Sequence, residues 1–288
     1  MFDFDRPLNV LVQGITGRHG RFHTAKMLGF GTKIVAGTSP NQTVKTVSDV
    51  PVFQSVAAAK AKFSIDASVI FVPAPAAKSA LVEAIENGIR LIVCITEGIP
   101  VHDFLEVKQL ADARGATIVG PNCPGILAGR NLLGIIPAEI YAPGNLAIIS
   151  KSGTLTYAAA DALKKSGIGA KYIVGIGGDP IKGTTFTDWL PKFERDPAVD
   201  KIVLIGEIGG HEEQTAADFI RENITKPVFA YVAGHHMPAH QRFGHAGAII
   251  GGQDETADAK TTYLKKIKNI HTADSLDQLV QIILDYNV

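Results

Sequence analysis

The chain has 288 residues, 46% of them hydrophobic, which is enough material for two domains with buried cores. Its 28 basic and 28 acidic residues balance, which disfavours a protein that coats nucleic acid or an anionic membrane. Two cysteines, Cys94 and Cys123, are too few for a disulfide scaffold and are typical of a reducing compartment. The initial MFDFDRPLNV lacks a secretory or transit pattern, and no apolar run approaches the roughly 20 residues of a membrane span. We therefore expect a soluble, cytoplasmic protein.

Short apolar runs alternate with helical patterns through the first half of the chain. The predicted strands are residues 8–12, 32–36, 67–72, 90–95 and 116–119. The predicted helices between them are residues 23–28, 55–60, 78–87 and 103–114. Near-continuous apolar strands separated by helices indicate a parallel sheet that is covered on both faces.

The second half repeats this alternation. Its predicted strands are residues 146–150, 172–175, 201–205 and 228–232, and its predicted helices are residues 154–165, 187–195, 214–223 and 276–284. Between residues 121 and 143, NCPGILAGRN and APGN interrupt any regular pattern. The sequence thus predicts two doubly wound α/β domains, residues 1–122 and 123–288.

A glycine-rich turn, GITGRHG at residues 14–20, follows the first predicted strand and precedes a helix. Glycines three residues apart allow a sharp turn and a close approach to a phosphate at the helix N-terminus. An NAD site would require an acidic residue at the end of the second strand, but that strand ends in VAGTS at residues 35–39. NAD is therefore disfavoured, and an adenine nucleotide with a 3′-phosphate remains a candidate, with Arg18, Lys33 and Lys45 as nearby cations. A tight turn without a ligand is the alternative.

Three further turns follow predicted strands of the first domain: VPAP at residues 72–75, ITEG at 95–98 and GPNCPG at 120–125. The carboxyl ends of parallel strands meet at one edge of a sheet, so these turns are expected to line one crevice with the glycine-rich turn. No histidine is near Cys123 in the sequence, which favours a small residue beside a ligand over a nucleophile.

The second domain has its own turns of this kind: SKSGT at residues 150–154, GIGGDP at 175–180 and IGEIGG at 205–210. Hydroxyl groups and glycines at a helix start form either an N-cap or a site for an anion, where backbone N–H groups and the helix dipole attract negative charge. Three such turns at one sheet edge favour an anion site.

Histidines cluster late in the chain. His245 lies in RFGHAGAII between two glycines, so its ring is expected to be accessible. His235, His236 and His240 suggest a metal site, but Pro238 breaks the helix that would align His236 with His240, and no cysteine or carboxylate pair completes a ligand set. We predict no metal site in this chain.

Eight motifs occur in an order that resembles the α subunit of succinyl-CoA synthetase (succinate–CoA ligase). They are ITGRHG, FVPAPA, CITEGIP, GPNCPGI, SGTLTY, GIGGDP, IGEIGG and GHAGAII, and they extend from about Val10 to Gly252. The resemblance implies an N-terminal Rossmann-like CoA-binding domain followed by a flavodoxin-like ligase domain that carries a phosphohistidine. It also implies a β subunit whose ATP-grasp domain binds ATP or GTP with Mg²⁺, and a reversible synthesis of succinyl-CoA or a related dicarboxyl-CoA.

The resemblance also assigns residues to roles. His245 matches the phosphorylated histidine, and Glu207 matches the carboxylate that orients its ring. The matching CoA contacts are Thr16, Gly17, Arg18, His19, Gln42, Ile95, Thr96 and Glu97. The residues that match the phosphate and acyl-substrate site are Ser152, Gly153, Thr154 and Tyr157.

The sequence departs from the family pattern at the segment that follows the second strand. Where the family commonly has PGKGG, this chain has PNQTV, so Gln42 occupies the position of a CoA-contacting lysine, and Lys45 is the nearest replacement for its charge. Ala158 replaces the glutamate that usually follows TLTY. Two alternative functions remain at this point: an NAD(P)-dependent Rossmann oxidoreductase and a non-catalytic CoA-binding module.

Overall fold

A computed structural model of the chain describes residues 2–40, 43–235 and 247–286. The chain forms two compact units, the first ending at Ala138 and including Ile181–Gly183, and the second comprising Glu139–Pro180 and the chain from Thr184 onward. In the described part of the chain, no helix is long and apolar enough to cross a membrane.

The first unit is built on a sheet in the order β3-β4-β2-β1-β5-β6-β7. Its strands are β1 (Val10–Gln13), β2 (Ile34–Thr38), β3 (Thr46–Val47), β4 (Val50–Phe53), β5 (Ala67–Ile70), β6 (Leu91–Cys94) and β7 (Thr117–Val119). All neighbours are parallel except β3 and β4. The apolar residues of β1, β5 and β6 are buried because helices cover the sheet.

Four helices connect these strands: α1 (Arg18–Phe30), α2 (Val56–Lys60), α3 (Ala74–Glu86) and α4 (Val101–Arg114). Gly31 and Gly115 end α1 and α4 in the left-handed conformation, which glycine adopts without a steric penalty. Pro73 and Pro100 precede α3 and α4, so these helices begin directly after the turns at the ends of β5 and β6.

A hairpin of β8 (Gly125–Ala128) and β9 (Asn131–Gly134) belongs to the first unit. The buried Asn131 side chain accepts a hydrogen bond from the N–H of Leu8 (2.8 Å) and donates to the carbonyl of Phe4 (3.1 Å). Thr32 exchanges two hydrogen bonds with the backbone of Leu132. These contacts explain why the first unit continues to Ala138, beyond the predicted boundary between residues 122 and 123.

The second unit contains a parallel sheet in the order β14-β13-β12-β10-β11. Its strands are β10 (Pro143–Ser150), β11 (Ala170–Gly175), β12 (Lys201–Glu207), β13 (Val228–Ala233) and β14 (Ile270–Ala273). Its helices are α5 (Gly153–Lys165), α6 (Phe186–Arg195), α7 (Glu212–Asn223), α8 (Ala257–Leu264) and α9 (Leu276–Asp285). Counted within the unit, the strand order is 2-1-3-4-5, which is the flavodoxin-like arrangement.

Each sheet has one place where the strand order reverses direction. In the first unit it lies between β1 and β5, and in the second between β10 and β12. Ligands of open α/β sheets bind outside the carboxyl ends of the strands at such a point. The prediction of two α/β domains, Rossmann-like and then flavodoxin-like, is confirmed.

Candidate active site

The glycine-rich turn of the first unit forms a tight bend between β1 and α1. Gly14 has φ +80°, a value that favours glycine, and a Cβ on Gly20 would lie only 2.2 Å from the carbonyl oxygen of Gly14. Gly17 precedes α1 without a side-chain cap. The first N–H groups of α1 have no partner within the helix, so this turn offers donors to an anion.

A cavity of about 510 Å³ lies beside this turn and contains four of the predicted CoA contacts, His19, Ile95, Thr96 and Glu97. Thr96 donates a hydrogen bond to the carbonyl of Val72 (2.7 Å), which fixes the turn after β6 to the turn after β5. The turns after β5 and β6, which were singled out in the sequence, therefore lie together at one edge of the sheet.

The aromatic wall of this cavity was not predicted. The ring of His23 is stacked on Phe71 at 5.5 Å between centroids, and the ring of His19 is stacked on His23 at 6.5 Å. Burial, helped by the neighbouring His19, lowers the pKa of His23, which favours a neutral ring at pH 7. A spacing of four residues on a helix brings His19 and His23 to one face, and this spacing was the available signal.

A second cavity of about 450 Å³ is lined by Gly14 of the glycine-rich turn, Ser39 and Glu83, among others. The hydroxyl groups of Thr16 and Ser39 are 2.6 Å apart. Val72 lines both cavities, so together they offer room for an extended ligand. Gly17 and Arg18 are exposed at the start of α1, whereas Gln42 lies outside the described residues.

The predicted phosphate and acyl site of the second unit lies at the start of α5. The Ser152 hydroxyl caps this helix by accepting a hydrogen bond from the N–H of Leu155 (3.3 Å). Gly153 is the first residue of the helix, Thr154 is exposed and Tyr157 is half-buried one turn along. This helix start has the free N–H groups and dipole that attract a phosphoryl group.

Glu207 ends β12, beside the strand that leads to Ser152. Ser150 of β10 is paired in register with Ile205 of β12, so Ser152 and Glu207 both lie two residues beyond a paired position. Glu207 is only 6% exposed. The strand order of the sheet therefore brings these two predicted site residues to the same switch point.

His245 lies outside the described residues, as do His236 and His240. The described chain resumes at Gly247, whose N–H donates to the carbonyl of Gly178 (2.9 Å). A Cβ on Gly209 would lie 2.3 Å from the carbonyl oxygen of Gly247, so only glycine fits there. The residue two positions after His245 is thus held between the turns that follow β11 and β12.

Within the ranges that the structure describes, no group of three histidine, cysteine or acidic side chains is arranged to hold a metal ion. His235 is instead paired through Nδ1 with Asp258 at 2.7 Å. Cys123 is buried, and its thiol donates to the carbonyl of Cys94 at 3.3 Å. This buried position disfavours a nucleophilic role, and the place of Cys123 beside a ligand stays a prediction.

Two protein families match the two sheets. The CoA binding domain family matches residues 5–98, and the CoA-ligase family matches residues 149–270. Among solved structures, the ATP citrate lyase of Methanosaeta concilii in complex with (3S)-citryl-CoA has a TM-score of 0.87 at 27% identity. That similarity covers 99% of this chain but 51% of the other, so this chain spans about half of the larger enzyme.

Curated relatives are more similar in sequence. The succinate–CoA ligase [ADP-forming] subunit alpha 2 of Archaeoglobus fulgidus is 53% identical over 262 residues, which is 91% of each chain. The corresponding alpha subunit of Aquifex aeolicus is 48% identical over 265 residues, 91% of this chain and 87% of its own length. Identity at this level over almost all of both chains establishes kinship. This chain belongs to the succinate–CoA ligase α-subunit family.

Proposed function

We propose that this chain is the α subunit of an acid–thiol ligase that forms succinyl-CoA, or a related dicarboxyl-CoA, from the acid, CoA and ATP or GTP. The main support for this proposal is the 53% identity to a named succinate–CoA ligase α subunit over 91% of both chains. The two switch-point sites, one in each unit, support it independently. Family membership removes the support for an NAD(P)-dependent oxidoreductase.

In this proposal the first unit binds CoA. The N–H groups at the start of α1 and the hydroxyl pair of Thr16 and Ser39 bind phosphates, while the remainder of CoA extends along the two cavities. The cavity wall formed by His19, His23 and Phe71 offers aromatic faces. A bound phosphate requires close backbone approach, and Gly17 provides it because it has no side chain.

The second unit carries out the phosphoryl transfers. A ring nitrogen of His245 attacks the γ-phosphorus of the nucleotide, and the nucleoside diphosphate leaves. The Glu207 carboxylate accepts the N–H of the other ring nitrogen and stabilises the positive charge that develops on the ring. The start of α5, with Ser152, Gly153 and Thr154, binds the phosphoryl oxygens.

The remaining steps return His245 to its starting state. A carboxylate oxygen of the acid, beside Tyr157, attacks the phosphorus of phosphohistidine and forms an acyl phosphate. The CoA thiolate then attacks the acyl carbon, and inorganic phosphate leaves as the thioester forms.

The nucleotide site is assigned to a β subunit with an ATP-grasp domain, which also binds Mg²⁺. The sequence of this chain contains no G-x-x-x-x-G-K-[ST] motif, so a phosphate-binding loop of that type is absent from it. We therefore expect no ligase turnover by the purified chain alone and full activity after reconstitution with the partner. The measurement is CoA-dependent nucleoside diphosphate release with a panel of dicarboxylic acids, with and without the β subunit. Thioester synthesis by the partner-free chain would contradict the proposal.

A second prediction concerns Glu207. Glu207→Gln keeps a hydrogen-bonding group next to the ring but removes the negative charge, so kcat is expected to fall by about 10- to 1000-fold. Glu222→Gln, an exposed change on α7, is the matched control and should leave kcat unchanged. The measurement is kcat of each variant, reconstituted with the β subunit, under steady-state conditions. Equal kcat values for the two variants would show that Glu207 does not take part in the reaction.

A third prediction concerns the missing lysine. Gln42→Lys places a cation at the position where the family usually has one, so CoA binding is expected to stay the same or tighten by about 0.5–2 kcal/mol. Calorimetry of CoA binding measures this change. Gln281→Lys adds the same charge to α9 of the second unit and controls for a non-specific effect of net charge. Weaker CoA binding by Gln42→Lys would show that the segment takes another course in this chain.

A further inference from the structure

Three charged side chains are buried together beneath the switch point of the second unit, and we call Lys151, Glu213 and Lys260 the ionic cluster. Glu213 and Lys260 have no exposed surface, and Lys151 is 4% exposed. Glu213 Oε1 is 3.3 Å from Lys151 Nζ, and the other carboxylate oxygen, Oε2, accepts a hydrogen bond from Lys260 Nζ. The cluster joins Lys151, two residues before α5, to helices α7 and α8.

The ionic cluster holds the main chain of Glu207 from both sides. Glu213 Oε1 accepts a hydrogen bond from the N–H of Glu207 at 3.1 Å. Lys260 Nζ donates to the carbonyl of Glu207 at 2.8 Å and to the carbonyl of Gly209 at 2.7 Å. Three hydrogen bonds from two buried side chains therefore fix the backbone that carries Glu207 and the turn after it.

The Glu213 carboxylate also contacts the turn that leads into α5, through Lys151. Lys151, which contacts Glu213, directly precedes Ser152, and its own N–H donates to the carbonyl of Ile205 in β12 at 3.2 Å. A Cβ on Gly206 would lie 2.5 Å from Cγ of Glu213, so glycine is required for the carboxylate to lie this close to β12. Glu213 thus links the two turns at which phosphoryl transfer is proposed to occur.

Stability alone does not account for such a cluster. Moving charges out of water costs several kcal/mol per ion, and well-packed apolar side chains of the same volume are often as stabilising as a buried ion pair. Burial opposes the ionisation of Glu213, but the two lysines outweigh it and lower the pKa of this carboxyl, so it is charged at neutral pH. A charged cluster offers directional contacts to backbone groups that apolar residues cannot make.

We propose that Glu213 and Lys260 are positioning residues for phosphoryl transfer: they fix the backbone of Glu207 and of the turn after it relative to the Ser152 turn. This inference rests on the proposed function. It assigns no contact with substrate to either residue, because their polar groups face the backbone and one another.

The test separates stability from positioning. Glu213→Leu leaves Lys151 and Lys260 without the carboxylate that they share and should lower the melting temperature strongly. Lys260→Met leaves Glu213 paired with Lys151 and should lower the melting temperature less. The double variant Glu213→Leu/Lys260→Met removes two of the three buried charges and leaves Lys151 with Glu212 at 3.5 Å, so it should recover part of the stability lost in Glu213→Leu. Phosphohistidine formation and kcat of the reconstituted double variant should nevertheless remain at least about tenfold below wild type, with the KM for CoA unchanged, because Glu207 is no longer held.

The control is the exposed pair of α5, Asp161→Leu/Lys165→Met, which should alter neither rate nor KM. Wild-type rates in a folded Glu213→Leu/Lys260→Met enzyme would overturn the inference, as would a parallel loss of CoA binding. If the double variant does not fold, Lys260→Gln replaces it, because the glutamine amide reaches fewer acceptors than the lysine ammonium group. We then expect the phosphorylation rate to fall by at least about fivefold. An unchanged phosphorylation rate would overturn the inference. Wild-type enzyme that forms no phosphohistidine would instead contradict the proposed function itself.

Discussion

His245→Asn is expected to abolish both phosphorylation of the chain and ligase turnover, while CoA still binds. Asparagine is close in size to histidine and keeps a hydrogen-bonding edge, but it has no nucleophilic nitrogen. The proposed route has no other acceptor for the phosphoryl group, so the loss should be complete within the detection limit of the assay.

The measurement is labelling of the reconstituted enzyme with γ-labelled nucleotide, followed by acid and alkali treatment. Wild-type label should be lost in acid and retained in alkali, as expected for phosphohistidine and unlike phosphoserine. His240→Asn makes the same change five residues earlier in the chain and should preserve labelling and turnover. Near-normal turnover by His245→Asn would favour direct attack of the acid on the nucleotide.

The central strands of both sheets could be predicted from the sequence because each is a short apolar run. Runs such as those at β1, β5, β10 and β12 are buried on both faces and carry a continuous signal. The edge strand β14, with the sequence IHTA, is short and half polar, so its run did not stand out. The hairpin β8–β9 was expected to be irregular, since its glycines and asparagine also fit a loop.

Helices were likewise predicted only where the local sequence carries a clear pattern. Helix α1 was predicted from His23 but begins at Arg18, because the turn at Gly17 already leads into helical geometry. Helix α8 was not predicted, since its sequence ADAKTTYL has no clear apolar face and places Lys260 in the interior. A lysine is normally read as exposed, and only its tertiary partners Glu207, Gly209 and Glu213 explain its burial.

Part of the candidate site could be predicted from the sequence, and part could not. The turns that carry Gly17, Thr96, Ser152 and Glu207 follow predicted strands, and the topology of parallel sheets suffices to bring them to one edge in each unit. The side chains that complete the site come from distant parts of the chain. Glu83 of α3 lines the cavity beside the glycine-rich turn, and no local pattern indicates that role.

The other large effect is expected at Gly17. Gly17→Val should reduce CoA affinity by at least about 100-fold, on the order of 3 kcal/mol, because a branched side chain would occupy the space in which backbone N–H groups approach the phosphates. The fold should tolerate the change: φ at Gly17 is −69°, and the new Cβ would lie 3.3 Å from its nearest neighbour, the carbonyl oxygen of Gly14.

Gly29→Val is the control, since it places the same side chain in α1 at a position far from the glycine-rich turn, where a Cβ meets nothing within 4 Å. Both variants should show melting temperatures near wild type, and calorimetry should show CoA binding only for the control. The comparison separates a general effect of valine on α1 from a change at the ligand, because Gly17 directly precedes the helix and Gly29 lies near its other end. Equal CoA affinities for Gly17→Val and Gly29→Val would mean that the phosphates do not bind at the start of α1, and the CoA site would then have to lie elsewhere in the first unit.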